Sequence, residues 1–257
     1  MTDFFNLGFN LGDRVAVVVG ASSGLGADAA RAYAAAGADV ALLARRVDRL
    51  EALGEEIESA GGRAVVVRCD VTDEGSCRTA VSAVLDACER IDILLNNAGV
   101  AVRGGVETLN DEEWDRSFDT NVKGIVHVSK YVVPHMKERS YGKIVNIASV
   151  NAVIADKQDV FVRHAYNASK AAVLGLTRGM ACSYARYGVG PGLFASEMTE
   201  STLFKSDEFL DAYGALNPTG RPGRRGELNG TILYLSSDAS SYVQGQFVVV
   251  DGGMTIV

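Results

Sequence analysis

The chain has 257 residues, 47% of them apolar, enough to bury one sizeable core, and α/β folds of this size are often a single domain. A formal charge of −7 and a pI near 5.1 exclude the basic footprint that a nucleic acid or an anionic lipid surface would need. No apolar run approaches the roughly 20 residues that span a bilayer, no basic leader opens the sequence, and the four cysteines show no CxxC spacing, so a cytoplasmic protein with reduced thiols is expected.

Arg14-Val-Ala-Val-Val-Val19 is a continuous β-branched run, suited to a parallel strand covered on both faces. It leads into Gly20-Ala21-Ser22-Ser23-Gly24-Leu25-Gly26, then an alanine-rich helix from Ala27 to Ala36, a stop at Gly37, and a second strand from Asp39 to Ala44. Glycines at 20, 24 and 26 in a strand-loop-helix permit a tight turn, close approach of backbone to a pyrophosphate, and close helix packing. A dinucleotide is the expected ligand, because the triplet sits inside a βαβ unit.

The acidic residue that would take a ribose hydroxyl is missing from the end of the second strand, where Ala44 is followed by Arg45-Arg46. A carboxylate there would repel a 2′-phosphate, whereas Arg45 can hold one in a bidentate fork, so NADP is expected over NAD. The plainer alternative is that both arginines open a solvated amphipathic helix, Val47 to Ala60.

Gly61-Gly62 ends that helix, and a third strand, Arg63 to Arg68, runs into Cys69-Asp70-Val71. Asp73 to Arg90 reads as a helix with apolar Cys77, Val81, Val84, Leu85 and Cys88, and Ile91 to Leu95 as a buried strand leading into Asn96-Asn97-Ala98-Gly99. These alternations predict an α/β fold, a Rossmann-type doubly wound parallel sheet in three layers. In such a sheet the strand ends line one crevice, where the glycine loop, Arg45, Asp70 and Asn96 to Gly99 should meet.

Tyr166-Asn-Ala-Ser-Lys170 places a phenol and an ammonium at i and i+4, on one helix face, with Ser149 seventeen residues earlier. A cation about 4 Å from a phenolate, at an effective dielectric of about 20, is worth roughly 4 kcal/mol. That suits a tyrosine for passing a proton to or from an alcohol oxygen. An exposed Tyr-Lys helix pair is the bland alternative.

With the glycine loop, Asp70-Val71, Asn96 to Gly99, Asn121, Ser149 and Tyr166 to Lys170 in this order and spacing, the chain resembles the short-chain dehydrogenase/reductase family from about Leu11 to Gly253. The resemblance implies a seven-stranded sheet, hydride transfer between a nicotinamide and a small-molecule alcohol or ketone, and a homotetramer or homodimer. It implies that Ser149 hydrogen-bonds the substrate oxygen, Tyr166 exchanges its proton, Lys170 favours the phenolate and holds the nicotinamide ribose, and Asn121, within a helix from Glu113 to Met136, anchors a water that relays the proton outward. Ser22, Ser23 and Leu25 of the loop join its glycines in the implied cofactor set. So do Asp70, at the adenine amino group, Val71, and the turn Asn97, Ala98 and Gly99. Pro191, Gly192 and Ser196 belong to the same set, with Ser196 where threonine is common. A dinucleotide-binding regulatory protein and an epimerase are the alternatives on this fold. The histidines at 127, 135 and 164 have no metal-ligand spacing, and no metal is expected.

Two departures from the family pattern stand out. The stretch from Ser149 to Tyr166 is about four residues long in excess, near Asp156 to His164, where Arg163 and His164 offer an anion contact if they are not an ordinary solvated loop. After the catalytic helix, Tyr187-Gly-Val-Gly190 runs straight into Pro191-Gly192, about five residues short of the usual strand. Four Cα steps reach at most about 14 Å, less than a strand of roughly 17 Å. Either the written sequence lacks residues, the favoured reading, or the sixth strand is lost. The favoured reading predicts a chain break near Gly188 to Pro191 and an empty lane about 9 to 10 Å wide between Lys143 to Ala148 and a last strand at Phe247 to Val250. Phe194 to Arg225 is polar with weak helical periodicity, and a substrate lid is expected over about 193–225. Glu227 to Ser236 reads as helix.

Overall fold

The computed structural model describes residues 8–155, 162–184, 189–195 and 217–256, the third of these as a backbone path. Six strands, β1 (Val15–Val19), β2 (Asp39–Ala44), β3 (Ala64–Arg68), β4 (Ile93–Asn96), β5 (Gly142–Ala148) and β6 (Val189–Ala195), form one sheet in the order β3-β2-β1-β4-β5-β6. Every neighbouring pair is parallel. The chain starts in the middle, builds outward to β3, and returns to β4, so the order reverses between β1 and β4. Ligands of such sheets bind in the crevice outside the carboxyl ends at that reversal.

Helices cover both faces because the strands are apolar on both. Ala16, Val18 and Leu42 pack with Tyr33 of α1 (Gly24–Ala35) and with Ile232 and Leu235 of α7 (Asn229–Ser236). Val17, Leu43 and Leu94 point the other way, onto Val81 and Val84 of α3 (Glu74–Cys88) and Val128 and Val132 of α5 (Gly124–Glu138). Each such side chain contributes about 1.5 to 3 kcal/mol by burial. Of the remaining helices, α2 (Val47–Ser59) follows β2, α4 (Asp111–Phe118) precedes α5, and α6 (His164–Tyr184) follows β5.

The single helix expected over Glu113 to Met136 is divided. Asn110 caps α4 by accepting the Glu113 N–H at 2.8 Å, and between α4 and α5 lies a π-turn, Asp119–Lys123, closed by Gly124 N–H donating to the Asp119 carbonyl. Asn121 sits in this widened turn, a feature often found at functional sites.

The sixth strand is not lost, and the expected empty lane is filled. Val189 to Ala195 pairs with β5 from Gly142↔Val189 to Ala148↔Ala195 without a slip, so no break falls within Val189 to Pro191; residues 185–188 lie outside those described. Pro191 and Gly192 therefore stand mid-strand opposite Ile144 and Val145, and not in a loop at the crevice. The cause is the edge of β5: its N–H and C=O groups would cost about 1 to 3 kcal/mol each if buried unpaired, and the shortened chain supplies its next residues to meet them. Proline is tolerated because β6 ends the strand order. Nor does a seventh strand form among the described residues, where Phe247 makes one bridge and 248–250 are irregular.

A buried polar chain ties the sheet to α6. Asn96 Nδ2 donates to Asn146 Oδ1 and Asn146 Nδ2 to Thr177 Oγ1, both at 2.9 Å. Asn146→Leu should leave the Asn96 amide and the Thr177 hydroxyl without this partner and destabilise the protein by about 2 kcal/mol or more. An unchanged denaturation midpoint would contradict that.

Candidate active site

A cleft of about 1010 Å³ lies outside the carboxyl ends of β1, β2 and β4. Its floor is the glycine loop. Gly20 has φ +82, and a Cβ there would stand 2.8 Å from the Ala98 backbone, so glycine is required both for the turn and for the approach of the 97–99 turn. Asn97 Nδ2 donates to the Gly20 carbonyl at 3.1 Å, holding the two together. Ser22, Ser23, Gly24, Leu25, Arg45, Asp70, Val71, Asn97, Ala98 and Gly99 all line this cleft, as the sequence led one to expect.

Arg46, not Arg45, is tied to the loop. Its guanidinium donates to Ser22 Oγ at 2.8 Å and to Ser23 Oγ at 2.9 Å. Arg45 and Arg49 also line the cleft, so three arginines share it with Ser22 and Ser23. Sequence reasoning missed Arg49, although its i+4 spacing from Arg45 across the start of α2 was a usable signal. It also missed the opposite wall, where α4 and the π-turn contribute Glu112, Asp115, Arg116 and Asp119.

At Asp70, burial opposes ionisation. Hydrogen bonds from the Thr72 hydroxyl at 2.8 Å and amide at 3.1 Å, with Arg45 and Arg68 nearby, outweigh it and hold the carboxyl below its ordinary range. The side chain is thus a charged acceptor at neutral pH, suited to an amino group.

The four expected catalytic residues are buried side chains on three adjoining elements. Ser149 follows β5 and caps a short turn, accepting the Asn151 N–H and donating to Asn151 Oδ1, each at 3.2 Å. Tyr166 and Lys170 lie one turn apart on α6, and Lys170 Nζ is 5.7 Å from the Tyr166 ring centroid while donating to the Ile147 carbonyl at 2.7 Å. Lys170 is therefore anchored to the strand that carries Ser149.

Asn121 is fully engaged. Its Oδ1 accepts the Val100 N–H at 2.8 Å, and its Nδ2 donates to the Val100 carbonyl and to Ser169 Oγ, each at 2.9 Å. Ser169 in turn donates to the Tyr166 carbonyl at 2.8 Å. Asn121 thus joins the cleft, through Val100, to the helix of Tyr166.

The Arg163 backbone bridges Gly104, and His164 Nδ1 accepts the Val106 N–H at 3.0 Å, stitching the loop after β4 to the start of α6. Residues 156–161, where the sequence is longer than usual, lie outside those described, as do Ser196 and most of the expected lid.

Burial holds the Lys170 ammonium down to about 8, against 10.5 for a free lysine. It remains mainly charged at neutral pH and loses its charge above about pH 8. Because the unfolded chain keeps that proton up to about 10.5, stability should rise with pH between those values. Any chemistry that needs the cation should fall across the same interval. Paired pH profiles of stability and turnover test this opposition; parallel profiles would contradict it.

The short chain dehydrogenase family model matches residues 14–207. Gluconate 5-dehydrogenase of Gluconobacter oxydans (strain 621H) is 40% identical over 253 residues, covering 96% of this chain and 97% of that one. The 3-oxoacyl acyl-carrier-protein reductase of Thermotoga maritima is 34% identical over 248 residues, 95% of this chain and 98% of its own. Among solved structures, a gluconate 5-dehydrogenase from Burkholderia cenocepacia J2315 in complex with NADP and tartrate superposes with a TM-score of 0.90 at 33% identity, over 97% of this chain and 98% of that one.

Proposed function

Because the chain belongs to the short-chain dehydrogenase family and is an oxidoreductase acting on CH–OH groups, we propose that it interconverts a sugar acid and its keto form with NADP, gluconate being the first substrate to test. The observation that carries this reading is that Tyr166 and Lys170 lie one turn apart on α6, with Lys170 bonded to Ile147 two residues before Ser149 and Asn121 linking Val100 of the cleft to Ser169 of α6. Polyols and 3-oxoacyl compounds remain the comparison classes.

The residues of the cleft fit the cofactor: a glycine cradle that a Cβ would fill, the N-terminus of α1, and three arginines in the lining, Arg46 among them bonded to Ser22 and Ser23. The arginine cluster supports NADP over NAD, since each charge-assisted contact to a phosphate is worth about 1.5 to 3 kcal/mol. Bound there, the nicotinamide supplies or accepts the hydride. In the reductive direction the Tyr166 hydroxyl protonates the substrate oxygen, and Ser149 turns its O–H from Asn151 Oδ1 to the same oxygen. Lys170 favours the phenolate left behind, and the Asn121 carbonyl holds a water through which the proton is replaced. The proposed enzyme is a single catalytic domain with a substrate lid over about 193–225, of which residues 196–216 lie outside those described. Exposed Trp114, Val126 and Tyr242 support assembly as a homotetramer or homodimer.

NADP reduction should be measured against gluconate, mannitol and a 3-hydroxyacyl thioester. The sugar acid should give the highest kcat/KM, by about tenfold or more, the worth of one charged hydrogen bond. A clear preference for the thioester would move the assignment to acyl substrates.

A further inference from the structure

Cys69 and Cys77 are buried with their sulfurs 3.9 Å apart, Cys69 just after β3 and Cys77 in the first turn of α3. They are eight residues apart and need only the short link 70–76 to meet. Cys69 lines the cofactor cleft, and Cys77 Sγ donates to the Asp70 carbonyl at 3.5 Å. Ser76 Oγ accepts the Asp70 N–H at 3.0 Å, so Asp70 is held on both sides by the turn that carries Cys77. None of the proposed proton-transfer chemistry uses either thiol.

We propose that Cys69 and Cys77 form an oxidation site at the adenine end of the cleft, closing to a disulfide that displaces Asp70 and weakens cofactor binding. The neighbouring sulfur favours the thiolate at Cys69, while the Cys69 sulfur and burial keep Cys77 protonated, so Cys69 is the first nucleophile. With hydrogen peroxide as oxidant, the Cys69 thiolate attacks one oxygen, the O–O bond breaks, and water leaves after proton uptake, giving a sulfenic acid. Cys77 sulfur then attacks Cys69 sulfur, an S–S bond forms, and a second water leaves. Both thiols are oxidised and one peroxide is reduced to two waters. To reach a bond of about 2.05 Å the sulfurs must approach by nearly 2 Å, and the turn holding Asp70 lies between them. A bound cofactor would cover Cys69 and slow the reaction.

The effect on affinity rests on the cofactor reading of the cleft, but the bond itself does not, and two readouts separate them. Tryptic cleavage after Arg68 and Arg78 releases Cys69 to Arg78 as one peptide holding both cysteines. After peroxide treatment of the apo protein and alkylation, that peptide should be unalkylated and lighter than the reduced form by two hydrogens, with NADPH protecting it and dithiothreitol reversing it. The oxidised protein should bind NADPH about tenfold or more weakly, roughly the loss of one hydrogen bond. Cys77→Ser should bind NADPH as the parent does and keep its affinity under peroxide. A peptide alkylated at both cysteines after oxidation would overturn the site. A linked peptide with unchanged NADPH affinity would overturn its coupling to Asp70, and loss of affinity in Cys77→Ser under peroxide would assign the effect to a sulfenic acid at Cys69 or to another thiol, overturning the disulfide as its cause.

Discussion

Replacing Tyr166 by Phe is expected to lower turnover at least about 100-fold while leaving NADPH affinity within a few-fold of the parent. Tyr166 is buried, so the substitution keeps the ring and removes one oxygen. That oxygen is the only proposed group that both contacts the substrate oxygen and carries the exchangeable proton. Ser149 can still orient the substrate and Lys170 can still hold its charge, but neither delivers a proton to the reacting oxygen. Single-turnover reduction with saturating NADPH separates the effects, because binding is complete before the chemical step. Turnover within a few-fold of the parent would remove Tyr166 from the reaction and with it the pairing with Lys170.

Arg45→Ala is expected to weaken NADPH about 10- to 150-fold and NADH little, from the loss of a charge-assisted contact worth roughly 1.5 to 3 kcal/mol. The position of Arg46 sharpens the expectation. Arg46 is held by Ser22 and Ser23, so it braces the loop as well as facing the cleft, and Arg46→Ala should weaken both cofactors, NADPH the more. Equal losses of NADPH and NADH in Arg45→Ala would show that a 2′-phosphate is not its target. Titration of each variant with both cofactors decides between the two roles.

Much of the fold was legible because its strands are short apolar runs bounded by glycine or polar turns. Val15 to Val19 reads as buried on both faces and is. The glycine loop, Asp70 and Asn97 to Gly99 could be placed in one cleft from strand order alone, since a doubly wound sheet brings its carboxyl ends together. Where the reading failed, the deciding force was not local. Asp119 to Lys123 holds no glycine or proline to mark a break, and the change to a π-turn accompanies the bonds of Asn121 to Val100 and Ser169. Pro191-Gly192 carries every local sign of a loop, yet the unpaired edge of β5 recruits it as strand, a tertiary demand overriding propensity. Arg45 and Arg46 are adjacent, and which one meets the serines depends on the backbone at the end of β2. Glu112 and Asp115 gave no signal, because a solvated acidic helix face and a cleft wall have the same composition.

The most direct test of NADP-dependent hydride transfer at the Tyr166 site uses NADPH deuterated at the transferable position of the nicotinamide, mixed with the protein and the keto form of gluconate. Mass and NMR analysis of the product should find one deuterium on the new carbinol carbon, one NADPH consumed per alcohol formed, and neither change with Tyr166→Phe on the same time scale. Bound NADPH that is not consumed across keto acids, keto-polyols and 3-oxoacyl thioesters, or a product without deuterium at that carbon, would contradict the account.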